Sequence, residues 1–239
     1  MQVTRLRRLA ADRFGATFGR DAIARRFVKG SGIEIGALHN PLRVPRSVNV
    51  RYVDRMTVPE LRRQYPELAR ERLVEVDVID DGERLDSIAD GSQDFVVANH
   101  FLEHSQDPVG ALANMFRVLR GRGILYLAVP DKRFTFDSER PPTPLDHVLV
   151  DYRDGPEGSR RAHFEEWARL VDGVPENEVD AHVETLLARD YSIHFHVWTQ
   201  ADMLDLLVAL RRELGIEFDL EVAVRNGKEN VFVLRKLEG

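Results

Sequence analysis

At 239 residues the chain is long enough for one large domain or two small ones, and its 43% hydrophobic and 31% charged residues describe an ordinary globular protein with a buried core. No apolar run approaches the length of a bilayer span, and the basic N-terminus lacks the apolar core and cleavage site of a secretory signal. With no cysteine, disulfides, thiolate metal ligands and a cysteine nucleophile are excluded, and a cytoplasmic location is expected.

The net charge of −6 is unevenly spread. Residues 1–30 carry eight Lys/Arg against Asp12 and Asp21, a balance of +6, which leaves −12 for the rest. Within that N-terminal segment, Leu6, Leu9, Ala10, Phe14 and Phe18 form a stripe at helical spacing, so a basic helix packed on the acidic body is expected. Gly30-Ser31-Gly32 then breaks the chain. Ile33 to Gly36 reads as a first strand, Val48 to Asp54 as a second, Pro59 to Tyr65 as a short helix and Leu73 to Val78 as a third strand.

The most legible stretch runs from Asp94 to Pro130. Phe95 to Ala98 and Ile124 to Val129 are apolar runs without alternation, the pattern of parallel strands covered on both faces. Between them Asp107 is a good N-cap, Pro108 suits the first helical position, and Gly121 suits a left-handed stop. Val109, Leu112, Ala113, Phe116 and Leu119 give the helix one apolar stripe, and Arg117 and Arg120 are placed in its last turn. Such a strand–helix–strand crossover belongs to a doubly wound α/β sheet, in which ligands bind beyond the carboxyl ends of the strands.

Residues 131–197 break the rhythm. They contain no convincing strand and read as a helical cap, with amphipathic segments at 145–152, 162–171 and 178–188. A helix from Thr199 to Leu214 and two β-prone runs, 217–224 and 231–235, complete the chain. Asn226-Gly227 between those runs is a strong hairpin signal, so the sheet is expected to end antiparallel. The expected organisation is an N-terminal helical segment (1–30), a Rossmann-like domain of about seven strands (31–130 and 198–239) and the inserted cap (131–197).

Four successive strand ends carry candidate binding residues. Glu34 and Gly36 end the first strand, where a glycine lets a ligand approach the backbone. Asp54 ends the second and is suited to accept both hydroxyls of a ribose. Asp77 on the third is expected beside an adenine, and Asn99-His100 ends the fourth. Together with the L-E-H run Leu102-Glu103-His104, the R-V-L-R helix end Arg117 to Arg120, Gly121, Gly123 and Pro130, these residues resemble the class I S-adenosylmethionine-dependent methyltransferases. The resemblance covers 32–130 well and the C-terminal helix and hairpin by pattern only.

It implies S-adenosylmethionine as cofactor, held by Glu34, Gly36, Ala37, Leu38, Asn40, Asp54, Arg55, Asp77, Val78, Asn99 and His100. The family's loop usually has two further glycines where this chain has Leu38 and Asn40. The implied reaction is in-line methyl transfer to O or N of a small polar molecule such as a sugar or natural-product intermediate, with histidine assistance. His100, His104 and His147 are the candidate bases. Phe134, Tyr152, His163, His194, His196 and Trp198 are the candidate acceptor contacts. His194 and His196 in an extended run, His163 one turn from Glu166, and Asp146-His147 also suggest a divalent metal, but match no tight ligand signature, and no metal is expected. The expected partners are the small-molecule acceptor and at most a second copy of the chain, with neither nucleic acid nor membrane. A non-catalytic scaffold with a degenerate cofactor loop is the alternative.

Overall fold

The structure, a computed structural model, describes residues 19–238. The stripe from Leu6 to Phe18 lies outside them. The described part of the N-terminal segment begins with a helix, α1 (Arg20–Phe27), whose Ile23 and Ala24 are buried against one face of the sheet. Strand β1 (Ser31–Ile35) and β2 (Asn49–Asp54) follow, then α2 (Val58–Gln64) and β3 (Val78–Ile79). Strand β4 (Gln93–Asn99), α3 (Pro108–Val118) and β5 (Leu119–Pro130) form the crossover. The insertion carries α4 (Leu145–Asp154), α5 (Glu157–Leu170) and α6 (Val179–Ala188), and α7 (Gln200–Leu214), β6 (Phe218–Asn226) and β7 (Glu229–Lys236) close the chain.

One seven-stranded sheet has the order β3-β2-β1-β4-β5-β7-β6. Strands β1 to β5 pair in parallel, and β7 runs antiparallel to both β5 and β6. Both faces are covered, as the unbroken apolar runs require. Ile33, Ile35, Val96, Ala98, Leu125 and Leu127 pack beneath α3, α7 and Val148 of α4. Phe95, Val97, Ile124 and Tyr126 on the other face pack against α1 and Leu42. The insertion adds a small core of its own from Phe164, Ala168, Val183, Leu186 and Phe195.

Several boundaries differ from the expected ones for identifiable reasons. The third strand shrinks to Val78–Ile79 because Leu73 turns into a side cluster with Val58, Leu61 and Leu68. Helix α3 stops at Val118, and β5 begins at once with a bulge, so Arg120 lies in the strand and bonds Asp94. Arg122, not Gly121, takes the left-handed conformation there, at φ 67°. In the final hairpin Gly227 and Lys228 are the central residues, with φ 66° at Gly227, the pattern of a type II′ turn. Asn226 is instead the last strand residue, its Nδ2 donating to Glu229.

Asp107 caps α3 as the sequence indicates, its Oδ1 accepting from the Gly110 amide at 2.8 Å. Asp107→Ala is expected to lower stability by about 1 kcal/mol. Urea denaturation with an unchanged midpoint would show that the cap contributes nothing.

Candidate active site

The carboxyl ends of β1, β2 and β4 and the loop after β3 form one wall of a cavity of about 410 Å³, and the insertion forms the other. That volume lies within the range of small-molecule sites. From the sheet side come Gly36, Asp54, Arg55, Gly82, Glu83, His100, Phe101 and His104; from the insertion come Phe136, Trp167, Asp190, Tyr191, His194 and Phe195. Arg55 ties the two walls together, donating to Asp190 at 2.8 Å and to the Tyr65 hydroxyl at 2.9 Å.

The loop after β1 turns on two left-handed residues, Gly36 (φ 62°) and Leu38 (φ 49°). A Cβ at Gly36 would meet Phe101 on the cavity wall at an ordinary 3.8 Å, so the positive φ, and not lack of space, is what calls for glycine. Leucine in the left-handed region costs roughly 1–2 kcal/mol. Its side chain packs against the Val58–Leu61–Leu68 cluster, and its carbonyl accepts from Val74 at 2.8 Å, which holds it there. Glu34 is buried beneath the loop and accepts from the Leu42 amide at 2.9 Å and from Asn99 Nδ2 at 3.3 Å. Burial outweighs these bonds and raises its pKa to about 7. Glu34 and Asn99 therefore shape the loop from below. Asp54 reaches the cavity itself, with its pKa raised by burial.

Asp77 does not reach this rim. It precedes β3, is exposed, and accepts from the Tyr52 amide at 2.8 Å, so Gly82 and Glu83 stand in the cavity where Asp77 and Val78 were expected. Ala37 and Asn40 shape the turn, the Asn40 amide donating to Ala37 O at 2.9 Å, without lining the cavity.

Three of the candidate histidines line the cavity, and their partners make them chemically different. His100 lies between carboxylates, Nε2 2.7 Å from Glu229 and Nδ1 3.4 Å from Glu103. Burial opposes its charge, but the two acids prevail and raise its pKa to about 9, so it is a cation at neutral pH and not the expected base. His104 Nδ1 lies 2.9 Å from the Ile193 carbonyl, which only accepts, so Nδ1 carries the proton. Burial lowers its pKa to about 4 and keeps it neutral. His194 Nδ1 bonds Asp137 at 2.8 Å, and Asp137 is held in turn by Arg140 at 2.9 Å. Burial raises the Asp137 pKa, but the hydrogen bonds from His194 and Arg140 and the Arg140 charge overcome it and lower the value.

The remaining candidates lie elsewhere. His147, His163 and His196 gather behind the cavity wall. Trp198 is buried in the main core, stacked on His196; Tyr152 faces a groove beside Phe116; and Phe134 is exposed beneath Arg225. The cavity's aromatics are Phe101, Phe136, Trp167 and Tyr191. Nothing local marks these four, since aromatic residues in core and in pockets look alike in sequence.

Residues 32–127 match the sequence model of the methyltransferase domain family. In the sheet that this segment begins, β7 enters antiparallel between β5 and β6, unlike the all-parallel dinucleotide-binding sheet. The chain carries a class I S-adenosylmethionine-dependent methyltransferase domain.

Among solved structures this methyltransferase is similar to a putative zinc-dependent alcohol dehydrogenase from Rhodobacter sphaeroides, at 17% identity and TM-score 0.54, covering 92% of this chain and 90% of that one. It also matches a methyltransferase from Aquifex aeolicus (12% identity, TM-score 0.47, 98% of each chain). A third match is a methyltransferase from Methanosarcina mazei (18% identity, TM-score 0.47, 89% of this chain and 94% of that one). At such identities the first speaks for the fold, and none carries an activity across. No curated protein matches the sequence. No described helix of the methyltransferase is long and apolar enough to cross a membrane.

S-adenosylmethionine is the methyl donor of this enzyme, and the rim fits it. Gly36 leaves the backbone approachable, and Asp54 ends β2 with a single long bond, 3.4 Å from the Met56 amide, which leaves its oxygens free to accept. Leu38 adopts the backbone conformation that a glycine would supply, so the loop is formed despite the missing glycines.

His100 gives the methyltransferase a pH signature. Its folded pKa, about 9, exceeds the ordinary 6.5, so its contribution to stability is complete below pH 6.5 and is lost as pH rises through 9. The side chain is 45% exposed, so screening reduces the expected loss to about 1 kcal/mol. Comparing wild type with His100→Gln in urea from pH 6 to 10 checks this: their difference in stability should narrow over that range.

Proposed function

We propose that the enzyme methylates a hydroxyl or amine on a small polar molecule, held between the sheet edge and the insertion, with His194 taking the proton. The observation that carries this reading is the Asp137–His194 pair, in which His194 lines the cavity and Asp137 is buried behind it. A carboxylate accepts from Nδ1–H, which fixes the tautomer and leaves Nε2 to receive a proton. When bound, S-adenosylmethionine supplies a methyl group already activated on a sulfonium, so the protein has chiefly to position and deprotonate. Asp54 accepts hydrogen bonds from the ribose, and Phe136 and Trp167 pack around the His194 ring at 4.9 and 5.9 Å and hold its orientation. His104, neutral and tethered to Ile193 O, offers Nε2 as an acceptor for a substrate hydroxyl. The acid-rich rim and the chain's net negative charge favour a neutral or cationic acceptor over a nucleic acid, whose phosphates require positive charge.

Calorimetry with S-adenosylmethionine and S-adenosylhomocysteine tests the cofactor assignment, and methyl release onto a panel of sugars, hydroxy acids and amines tests the acceptor class. Asp54→Ala is expected to weaken cofactor binding about 100-fold, through loss of charge-assisted bonds worth about 1.5–3 kcal/mol each. Unchanged affinity in Asp54→Ala would remove Asp54 from the site, and turnover confined to nucleic acid or protein would overturn the small-molecule reading.

A further inference from the structure

Behind the cavity wall, four side chains from three separate stretches of the insertion converge without any evident role in methyl transfer. His147 and Asp151 lie one turn apart on α4, so they share a face. His163 comes from α5 and His196 from the extended segment before α7. One ligand atom from each lies within 4.8 Å of all the others. His147 Nε2 is 2.9 Å from His163 Nε2 and 3.2 Å from Asp151 Oδ2, and His196 Nε2 is 4.0 Å from the same oxygen. None of the four lines the cavity.

Two features set this group apart from a chance cluster. Asp151 is 2% exposed and its Oδ2, which faces the centre, has no hydrogen-bond partner, while Nε2 of the fully buried His196 makes only a long contact, 3.3 Å, with the Gln106 carbonyl. A buried carboxylate oxygen surrounded by imidazole nitrogens needs a positive charge beside it, and a cation bound among them supplies one. The nearby guanidinium, Arg140, is committed to Asp137, Glu166 and the carbonyls of His194 and Phe195. In addition, Asp151 is oriented from outside: Ser159 Oγ donates to its Oδ1 at 2.7 Å, leaving Oδ2 for the centre. Such outer hydrogen bonds are characteristic of metal ligands.

We propose that His147, Asp151, His163 and His196 bind a zinc ion that holds the insertion together. Three imidazoles and one carboxylate are a donor set suited to zinc, and four protein ligands close a tetrahedral shell, the mark of a structural site. Bonds of about 2.0–2.1 Å place tetrahedral ligand atoms about 3.3 Å apart, within the spread of the observed separations. The ion joins α4, α5 and the segment 193–198. It thereby fixes His194 and Phe195, the residues adjoining His196 that face the cavity. The site does not depend on the methyl acceptor or on which histidine is the base.

The test is metal analysis of the purified full chain, stripped with chelator and reloaded with zinc chloride. One zinc per chain is expected, with loss of the ion lowering the melting temperature. X-ray absorption should show a four-coordinate ion with imidazole and oxygen ligands. His163→Ala should abolish stoichiometric binding. Ser159→Ala, which leaves every ligand in place and so preserves folding, should weaken zinc about 10- to 100-fold. Glu103, His104 and His194 form a second close group on the cavity side, so His194→Ala is the discriminating variant and should retain the ion. A reloaded wild-type chain without zinc overturns the proposal. So does zinc that survives His163→Ala, or zinc lost in His194→Ala but retained in Ser159→Ala at full affinity.

Discussion

Arg140→Ala should destabilise the protein by about 3–5 kcal/mol, the largest single-residue effect expected in this chain. The guanidinium is 1% exposed and donates to four acceptors: Glu166 at 2.7 Å, Asp137 at 2.9 Å, and the carbonyls of His194 and Phe195 at 2.8 and 3.4 Å. Removing it leaves Asp137 as a buried carboxylate without its counter-charge and two carbonyls without donors. Leaving one partner of a buried ion pair costs far more than the pair itself contributes. Arg140→Lys should recover only part of the loss, because an ammonium cannot reproduce the planar fork that spans these acceptors. Urea denaturation decides it. A change below about 1 kcal/mol for Arg140→Ala would mean that water or a rearranged neighbour replaces the guanidinium, against the burial observed.

His194→Ala should reduce methyl transfer about 10²- to 10⁴-fold while leaving cofactor affinity near wild type, the effect expected of a lost general base. The split matters, because a collapsed cavity would lower both. Asp137→Asn provides the companion measurement. An amide donor facing His194 Nδ1 favours the opposite tautomer, so the rate should fall although the imidazole is still present. His104→Gln should have a smaller effect, since that ring supplies a hydrogen bond and is neutral from about pH 4 upward. The reading fails if His194→Ala turns over at the wild-type rate with an acceptor whose nucleophile must lose a proton.

How much of this was readable in advance differs element by element. The crossover from Asp94 to Pro130, the cap at Asp107, the three helices of the insertion and the final hairpin are written in local signals: apolar period, capping residues and turn chemistry. Asp54 and Gly36 were legible because strand ends in such a sheet face ligands by topology. The third strand was not, because Leu73 to Val76 have strand composition but Leu73 and Val76 pack into a side cluster. Asp77 was misplaced with it. Of the histidines, sequence identified the set without sorting it. His147 and Asp151 do stand four apart on a helix, a ligand-like spacing that could have been noticed, yet its other two members lie many residues away.

The sequence by itself therefore determined the sheet, its direction changes and the rim of strand ends that borders the cavity, since these follow from periodicity and neighbours a few residues apart. Only the tertiary structure decided what each histidine is. His194 and His196 are separated by a single residue, yet one meets Asp137 at the cavity and the other meets Asp151 behind it. His100 is charged because Glu229 lies 2.7 Å away, from a strand more than a hundred residues later. Protonation and ligation depend on charge and desolvation over a few ångströms, and that environment is assembled from segments that the chain order keeps far apart.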